Sequence, residues 1–256
     1  MFQETIEDNI IIFKFNNPPT NSIKVETLKK LQSVINEVNN NPEIKGLILT
    51  GEGRFFSSGF DLPMFLSFKN LDEIVEFFNF EENLLCDLFT CKKPVVSAIN
   101  GHDAAGGLIF SMASDYRIVK NHPKIKIGMS EIKLGLPLSI AQFEVMRFGL
   151  DSDKKLRDIL YFGDMIDVNR AKELQIVDEI VEDAELLKRA KQIVSLWIDT
   201  PGKPFITMKY MLKKHAADTI KTALQKNDWQ ERLNCFFIKE VRMTLEFVQA
   251  TMAQKA

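Results

Sequence analysis

The stretch Asn100–Ser139 contains residue types from which a proton-transfer site can be built. An apolar run ends at the turn Asn100-Gly101, and the pair Gly106-Gly107 then opens a predicted buried helix. Glycine lets another molecule approach the backbone, and the first amides of a helix lack internal partners and lie at the positive end of its dipole. Such a helix start suits an oxygen atom that develops negative charge.

Glu131 is the second candidate in this stretch, 25 residues after Gly106. Its neighbours in the sequence include Met129 and Ile132. A carboxyl group in apolar surroundings has a raised pKa, which suits it to accept and return a proton near neutral pH. Amide donors together with such a carboxyl group predict a proton-transfer site.

The elements that must position these residues alternate between strands and helices. Apolar, β-branched runs predict strands, and two long segments repeat their apolar residues at helical spacing, the first after a possible cap at 20–22. The predicted strands are Ile10–Phe15, Gly46–Thr50, Val95–Ile99, Tyr116–Val119 and Ile125–Ile127, and the predicted helices are Val25–Val38 and Leu71–Thr90. This alternation predicts an α/β chain.

Only helices are predicted after the segment Thr200–Pro204. We therefore expect a core domain, residues 1–199, and a C-terminal helical domain, residues 200–256. The helical domain has too many large apolar residues for a free appendage, so we expect it to bury them against a partner. They include Phe205, Leu224, Trp229, Phe236, Phe237 and Phe247. Lys209, Lys213 and Lys214 predict a solvated helix face in the same domain.

The composition excludes several classes of function. The chain has 256 residues, a net charge of -2, 45% apolar residues and 27% charged residues, as expected of a globular protein. The charge favours neither nucleic acid nor an anionic membrane as partner, and no apolar run approaches the ~20 residues of a membrane span. Cys86, Cys91 and Cys235 lack metal-ligand spacing. We expect free thiols, no metal and a cytoplasmic location.

Four motifs, in order, resemble those of the crotonase superfamily, the enoyl-CoA hydratase/isomerase family. The resemblance extends from about Ile10 to Met252. The motifs are F-F-S-S-G-F-D-L at 55–62, K-P-V-V-S-A-I-N-G-H-D-A-A-G-G at 93–107, I-G-M-S-E-I-K-L-G-L-P at 127–137, and L-Y-F-G-D-M-I-D-V-N-R-A-K-E-L-Q-I-V-D-E-I-V at 160–181.

The resemblance implies an α/β fold, a crotonase-type spiral of β-β-α units with a C-terminal all-helical oligomerisation domain that forms homotrimers or hexamers. It implies acyl-CoA substrates, with coenzyme A entering as part of the substrate and no other cofactor. It makes Glu131 the catalytic acid–base and places the backbone N–H groups of Phe60 and Gly106 in an oxyanion hole. The substrate-binding or CoA-binding residues that it implies are Ser58, Asp61, Leu62, Gly107, Ile109 and Leu138.

Two departures from the family pattern favour one reaction. Hydratases of the family have a second glutamate where this chain has Ile109, and its dienoyl-CoA isomerases have an aspartate at Ser139. Hydration holds a water between two carboxylates, whereas Δ3,Δ2-enoyl-CoA isomerisation needs one. Two alternatives stay open: an enoyl-CoA hydratase with Glu131 and a substitute group, and a catalytically impaired acyl-CoA-binding subunit. Asp103 is expected in an exposed loop or, alternatively, as a second polar group near the thioester.

Overall fold

The computed structural model, which describes residues 1–226 and 228–254, contains two β-sheets with helices packed around them. The strands are β1 (Phe2–Glu7), β2 (Ile10–Phe15), β3 (Gly46–Gly51), β4 (Phe55–Ser57), β5 (Val95–Ile99), β6 (His102–Ala104), β7 (Tyr116–Lys120), β8 (Ile127–Gly128), β9 (Met165–Ile166) and β10 (Glu179–Val181). One sheet has the order β1-β2-β3-β5-β7-β10 and the other has the order β4-β6-β8-β9.

The α-helices of the described residues lie between the strands and after the last strand. They are α1 (Val25–Asn40), α2 (Leu62–Ser67), α3 (Leu71–Phe89), α4 (Gly106–Met112), α5 (Glu131–Leu134), α6 (Ile140–Phe148), α7 (Asp153–Phe162), α8 (Val168–Glu173), α9 (Leu186–Ile198), α10 (Pro204–Leu224) and α11 (Lys239–Gln254). Two 3₁₀ helices, Asp183–Glu185 and Gln230–Phe237, complete the described chain. Each of β3, β5 and β7 in the first sheet is followed by a strand of the second sheet and then by helix, which is a β-β-α repeat.

Glycine corners join the two sheets. A Cβ atom at Gly51 would lie 2.1 Å from the carbonyl oxygen of Phe55, and one at Gly101 would lie 2.1 Å from that of Arg54. The Asn100 side chain connects the corners, because its Oδ1 accepts the Gly51 N–H at 2.8 Å. Only glycine fits such close backbone contacts, so these corners set the path of the spiral.

The inner strands β2, β3 and β5 of the six-stranded sheet are buried on both faces, as expected in the parallel part of a sheet. Because side chains alternate along a strand, the odd positions of β2 face one hydrophobic core and the even positions face another. Helices α1 and α3 cover the first face, and α9 covers the second. The residues of α9 in that second core are Leu186, Ala190, Ile193, Val194 and Ile198.

The sequence-based boundaries are confirmed for β2 and β5 and lie within a few residues for β3, β7, α1 and α3. Strand β1 was not predicted, although the turn that pairs it with β2 is formed by Asp8 and Asn9, both with positive φ. The predicted cap at 20–22 is wrong: Lys24 precedes α1 without a side-chain cap. Asn21 instead donates to the carbonyl oxygens of Glu52 and Phe55, at 2.9 and 2.7 Å.

Helix α10 is attached to the core by a buried ion cluster. Asp115 pairs with Lys209 at 2.6 Å and with Lys213 at 2.7 Å, and both lysines are buried. The predicted solvated face is therefore wrong for these two residues, whose i,i+4 spacing turns them to the core side of the helix. Lys214 lies on the exposed side, where it pairs with Asp218.

The described part of the C-terminal segment is helical, and Arg242 of α11 ties it to α2 by donating to the carbonyl oxygen of Leu66 at 2.6 Å. The domain boundary at 199/200 stays a prediction. Residues 227, 255 and 256 of the predicted helical domain lie outside the described residues. No helix among the described residues is long and apolar enough to cross a membrane.

Candidate active site

Three predicted site residues follow three neighbouring strands of the four-stranded sheet. Phe60 follows β4, Gly106 follows β6 and Glu131 follows β8. These strands are adjacent and parallel, so their carboxyl ends meet at one edge of the sheet. Residues that are distant in the sequence converge there, as ligand sites of parallel sheets generally do.

A cavity of about 830 Å³ opens at this edge. Seven predicted residues line it: Ser58, Phe60, Asp61, Leu62, Gly106, Ile109 and Glu131. The remaining two lie outside this wall. Gly107 is buried behind it, where a Cβ atom would lie 2.7 Å from the carbonyl oxygen of Ser57. Leu138 lines a neighbouring hollow of about 330 Å³, which shares Phe78 and Pro137 with the main cavity.

The amides of Phe60 and Gly106 have no hydrogen-bond acceptor among the described residues. A parallel bridge with Ile23 uses the groups on either side of Phe60, because Ile23 N–H donates to Gly59 and Asp61 N–H donates to Ile23. Gly106 begins α4, so its amide has no intrahelical partner. A Cβ atom at Gly106 would lie 3.3 Å from the Phe60 nitrogen, which places the two donors side by side.

The residue before each donor has a positive φ, 91° at Gly59 and 55° at Ala105. Ala105 combines this φ with a ψ of -129°, a conformation that is strained for a residue with a Cβ atom. Its N–H donates to the carbonyl oxygen of Gly128 at 3.0 Å, which ties the strained turn to β8. Backbone strain of this kind is common where a loop must present an amide to a ligand.

Side chains around the first donor hold its loop in place. Gly59 N–H donates to Ser57 Oγ at 3.1 Å, and Ser57 Oγ donates to the carbonyl oxygen of Asn21 at 2.8 Å. Asp61 caps α2 by accepting the Met64 N–H at 3.2 Å. Ser57 was not among the predicted site residues. It is completely buried, so its hydroxyl group is shielded from solvent and is available for these two hydrogen bonds.

Glu131 presents a buried carboxyl oxygen, Oε2, that has no hydrogen-bond partner in the described part of the chain. Burial raises the pKa of Glu131 to about 7, against the opposing effect of the main-chain amides of Glu131 and Ser130. Of the two expected apolar neighbours, Met129 is buried and Ile132 is exposed. A carboxyl group with this pKa in the cavity wall is suited to exchange a proton near neutral pH.

Asp103 does not lie in the exposed loop that was expected, and it does not reach the cavity wall. It is buried, because 102–104 pairs as β6 between two other strands and does not form an exposed loop. It is also not part of the cavity wall, and its Oδ2 accepts a hydrogen bond from Ser111 Oγ at 2.7 Å. Ile109, in contrast, lines the cavity with an apolar side chain.

Gln142 is a polar residue of the cavity wall that sequence analysis missed. Its Nε2 donates to Oε2 of the buried Glu81 at 3.2 Å. The adjacent Glu82 accepts the Ala141 N–H at 2.8 Å and the Ser139 hydroxyl, so α3 fixes the start of α6. Burial raises the pKa of both glutamates. The signal available in the sequence is a pair of adjacent acids among the phenylalanines and leucines of 77–85.

The chain is similar in sequence to known proteins over most of its length. The family model described as enoyl-CoA hydratase/isomerase matches residues 5–244. The chain is 30% identical over 217 residues to enoyl-CoA delta isomerase 1, mitochondrial, of Rattus norvegicus, covering 84% of this chain and 74% of that protein. It is 27% identical over 208 residues to a probable enoyl-CoA hydratase of Bacillus subtilis, covering 81% of this chain and 80% of that protein.

A solved structure shows the same fold. The crystal structure of human mitochondrial delta3-delta2-enoyl-CoA isomerase has a TM-score of 0.90 with this chain at 23% sequence identity, and the match covers 99% of this chain and 98% of that one. The expected spiral of β-β-α units with C-terminal helices is therefore confirmed. With the fold, the ordered motifs and the family model in agreement, the chain belongs to the enoyl-CoA hydratase/isomerase family.

Proposed function

We propose that the protein moves the double bond of Δ3-enoyl-CoA thioesters to the Δ2 position. The observation that carries the proposal is a carboxyl oxygen of Glu131 in a cavity that also presents the amides of Phe60 and Gly106, all three without a hydrogen-bond partner among the described residues. Ile109 occupies the wall where hydration needs a second acid. The rat relative that bears the name enoyl-CoA delta isomerase supports the same choice.

The geometry supports a two-step proton shift. The thioester oxygen accepts hydrogen bonds from the N–H groups of Phe60 and Gly106, and the Glu131 carboxylate takes a proton from C2 to form a dienolate. In the second step the C1=O bond re-forms and the C1=C2 electrons become the C2=C3 bond. The electrons of the C3=C4 bond take up the same proton at C4. Each donor lowers the barrier by ~3–4 kcal/mol, judging from removal of such donors in other enzymes.

The base must both accept and return the proton, which suits a carboxyl group with a pKa near the working pH. The pKa of Glu131, which burial raises to about 7, meets this requirement. The reaction leaves the oxidation state of the substrate unchanged, so we propose that no redox cofactor takes part. We also propose that no metal takes part, because the two amide donors stabilise the enolate oxygen that a Lewis acid would otherwise stabilise. Coenzyme A enters as part of the acyl-CoA substrate.

A substrate pair tests the proposal. The protein is incubated with a trans-3-enoyl-CoA and with a trans-2-enoyl-CoA of the same chain length, and the products are separated by chromatography. We expect double-bond migration to exceed water addition. Water addition in excess would identify a hydratase, and binding of both thioesters without turnover would identify an acyl-CoA-binding subunit; either result contradicts the proposal.

We further propose that the protein forms homotrimers or hexamers through its C-terminal helices. On α10 and α11, large apolar side chains lie exposed on the single chain, and a surface of this kind marks an interface. They are Met208, Tyr210, Met211, Leu212, Met243 and Phe247, each 57–71% exposed. Sedimentation equilibrium is expected to give a trimer or a hexamer, and replacement of Met211 and Leu212 by glutamate is expected to dissociate it. A stable wild-type monomer at micromolar concentration contradicts the proposal.

The cytoplasmic location stays a prediction. Its support is that Cys86, Cys91 and Cys235 are free thiols in the structure, which is typical of proteins in a reducing compartment. Fractionation of cells that express the tagged full chain tests it. Recovery in a membrane-bounded organelle contradicts a cytoplasmic location.

A further inference from the structure

Asp103 is a fully buried acid that the proposed proton shift does not use. It lies on β6, where its register partners are Ser57 on β4 and Ile127 on β8. The Ser57–Asp103 pair is the last pair between β4 and β6. The loops that carry the two donor amides leave the sheet just after this pair, so Asp103 lies at their common base.

The two oxygens of Asp103 both face α4. Oδ2 accepts a hydrogen bond from Ser111 Oγ at 2.7 Å, and Oδ1 has no partner among the residues that the structure describes. Oδ1 lies 2.8 Å from the point that a Cβ atom of Gly107 would occupy. The carboxyl group therefore supports α4 directly behind Gly106, which provides one of the two donors.

The described groups that face this carboxyl are uncharged. Ser57 and Ile127 flank it in the sheet, and Gly107 and Ser111 face it from α4. No lysine, arginine or histidine of the described chain forms an ion pair with Asp103. Burial without a counter-charge raises the pKa of Asp103 to about 8, although the Ser111 hydrogen bond opposes the shift.

Two ionisable neighbours point elsewhere. The ring of His102 packs against Phe55 at a centroid distance of 4.9 Å, and successive residues of a strand face opposite sides of the sheet. Lys126 contributes only its carbonyl oxygen, which accepts the Asp103 N–H at 3.0 Å, and its side chain is exposed. A negative charge on Asp103 has no compensating partner in this surrounding.

Ionisation of Asp103 has a direct consequence for catalysis. It places a buried negative charge behind the helix start at which the substrate oxygen itself becomes negative in the transition state. Two like charges in a low-dielectric region repel strongly, so this charge cancels part of the stabilisation given by the Gly106 amide. A neutral carboxyl group, in contrast, still accepts from Ser111 and holds α4 in place.

We propose that Asp103 is a positioning residue of the oxyanion hole that works best in its protonated form, and that its ionisation slows the reaction at alkaline pH. This inference rests on the proposed function, because the hole is the site of the enolate. It does not make Asp103 a catalytic residue, since its carboxyl group lies outside the cavity wall.

The test compares the pH dependence of kcat in wild type and in two variants. Asp103→Asn keeps the shape of the protonated acid and cannot ionise, so we expect kcat within about threefold of wild type at neutral pH. In wild type we expect an alkaline limb in which kcat falls above an inflection near pH 8, by up to tenfold per pH unit, towards a lower plateau. We expect this limb to be absent from Asp103→Asn and to move to higher pH in Ser111→Ala, because the hydroxyl stabilises the ionised form.

An infrared measurement reads the proton without turnover. A carboxylic acid C=O band present in wild type at pH 7, absent from Asp103→Asn and lost as pH rises in step with kcat, supports the proposal. An alkaline limb that persists in Asp103→Asn overturns the proposal. This comparison is needed because burial also lowers the pKa of Lys213 to about 8, despite the opposing charge of Asp115, so Lys213 titrates in the same pH range. If Asp103→Asn does not fold, an unmoved limb in Ser111→Ala overturns it. A folded wild type without isomerase turnover overturns the proposed function, whereas an absent carboxylic band overturns the inference alone.

Discussion

Gly59 and Ala105, the residues that precede the two donor amides, pack directly against each other. A Cβ atom at Gly59 would lie 2.8 Å from the Cβ of Ala105 and 2.8 Å from the nitrogen of Gly106. The two donor loops therefore share one contact, which fixes the separation of the amides. A side chain at Gly59 would therefore displace either the loop that carries Phe60 or the loop that carries Gly106.

We expect Gly59→Ala to lower kcat by about 10²-fold or more, the cost of losing one oxyanion donor in other enzymes. The substitution adds both strain, since φ is 91°, and the collision with Ala105. Gly53→Ala is the matched control, because Gly53 also has a positive φ, 66°, but its Cβ would meet nothing within 4 Å. Equal kcat values for the two folded variants would show that the shared contact does not set the donor geometry.

Replacement of the proposed base separates chemistry from binding. We expect Glu131→Gln to bind CoA thioesters and to lose about 10²-fold or more in kcat, the size of general acid–base contributions. In wild type, kcat/KM should rise with pH through about 7, because the carboxylate is the active form. Glu43→Gln, at an exposed residue outside the cavity wall, is the control. Retained turnover in a folded Glu131→Gln protein rules out the proposed role.

The same substitution has an expected effect on stability. The unfolded chain releases the Glu131 proton near 4.5, whereas burial keeps the folded pKa at about 7, so the folded state is destabilised as pH rises between these values. Glu131→Gln should therefore raise the free energy of unfolding at pH 7.5, by up to ~3 kcal/mol, and leave it unchanged at pH 4. Urea unfolding at the two pH values measures this. An equal gain in the free energy of unfolding at both pH values would show that the Glu131 carboxyl group does not have a raised pKa in the folded state.

Much of the fold and most of the site were predictable from the sequence, because both depend on local signals. Continuous apolar runs mark β3 and β5, which are buried on both faces. Glycines and the lone acid mark the ends of β4, β6 and β8, and the ordered motifs connect them. Seven of the nine predicted site residues share one cavity wall for this reason.

The errors come from contacts between residues that are distant in the sequence. Lys209 looks like a solvated residue until Asp115, 94 positions earlier, is placed against it. Asp103 looks like a loop residue, because a three-residue strand such as β6 is defined by its neighbours in the sheet and not by its own composition. Gln142 enters the cavity wall only because Glu81 on α3 holds it.

The ion cluster beneath α10 gives a stability prediction. We expect Asp115→Asn to lower the free energy of unfolding by ~3–5 kcal/mol, since it leaves Lys209 and Lys213 buried without a counter-charge. Burial alone would raise the pKa of Asp115, but the two lysines outweigh it and hold the pKa below its usual range. Its stabilising effect is thus present above that usual range and is lost as pH falls through the folded pKa.

The matched control for this variant is Asp218→Asn, which breaks the exposed pair with Lys214 on the same helix. An exposed pair contributes little, so its unfolding midpoint in urea should stay at the wild-type value. Equal midpoints for Asp115→Asn and wild type would show that α10 is held by apolar contacts alone.

Ile109 provides the last prediction, which concerns the choice of reaction. Hydration requires a water that is held and polarised beside C3, and an isoleucine side chain neither donates nor accepts a hydrogen bond. The proposed oxyanion donors would serve both reactions equally, so they cannot select between them, whereas the number of acids in the wall can. We expect Ile109→Glu to raise the ratio of hydratase to isomerase turnover, measured on matched chain lengths. The new acid is buried, as Ile109 is, so we also expect a loss of stability. Ile109→Gln is the control, because it adds a polar group of the same size without a carboxylate. A ratio that rises equally in both variants would show that polarity alone admits the water, and a wild-type ratio above one would contradict the isomerase proposal itself.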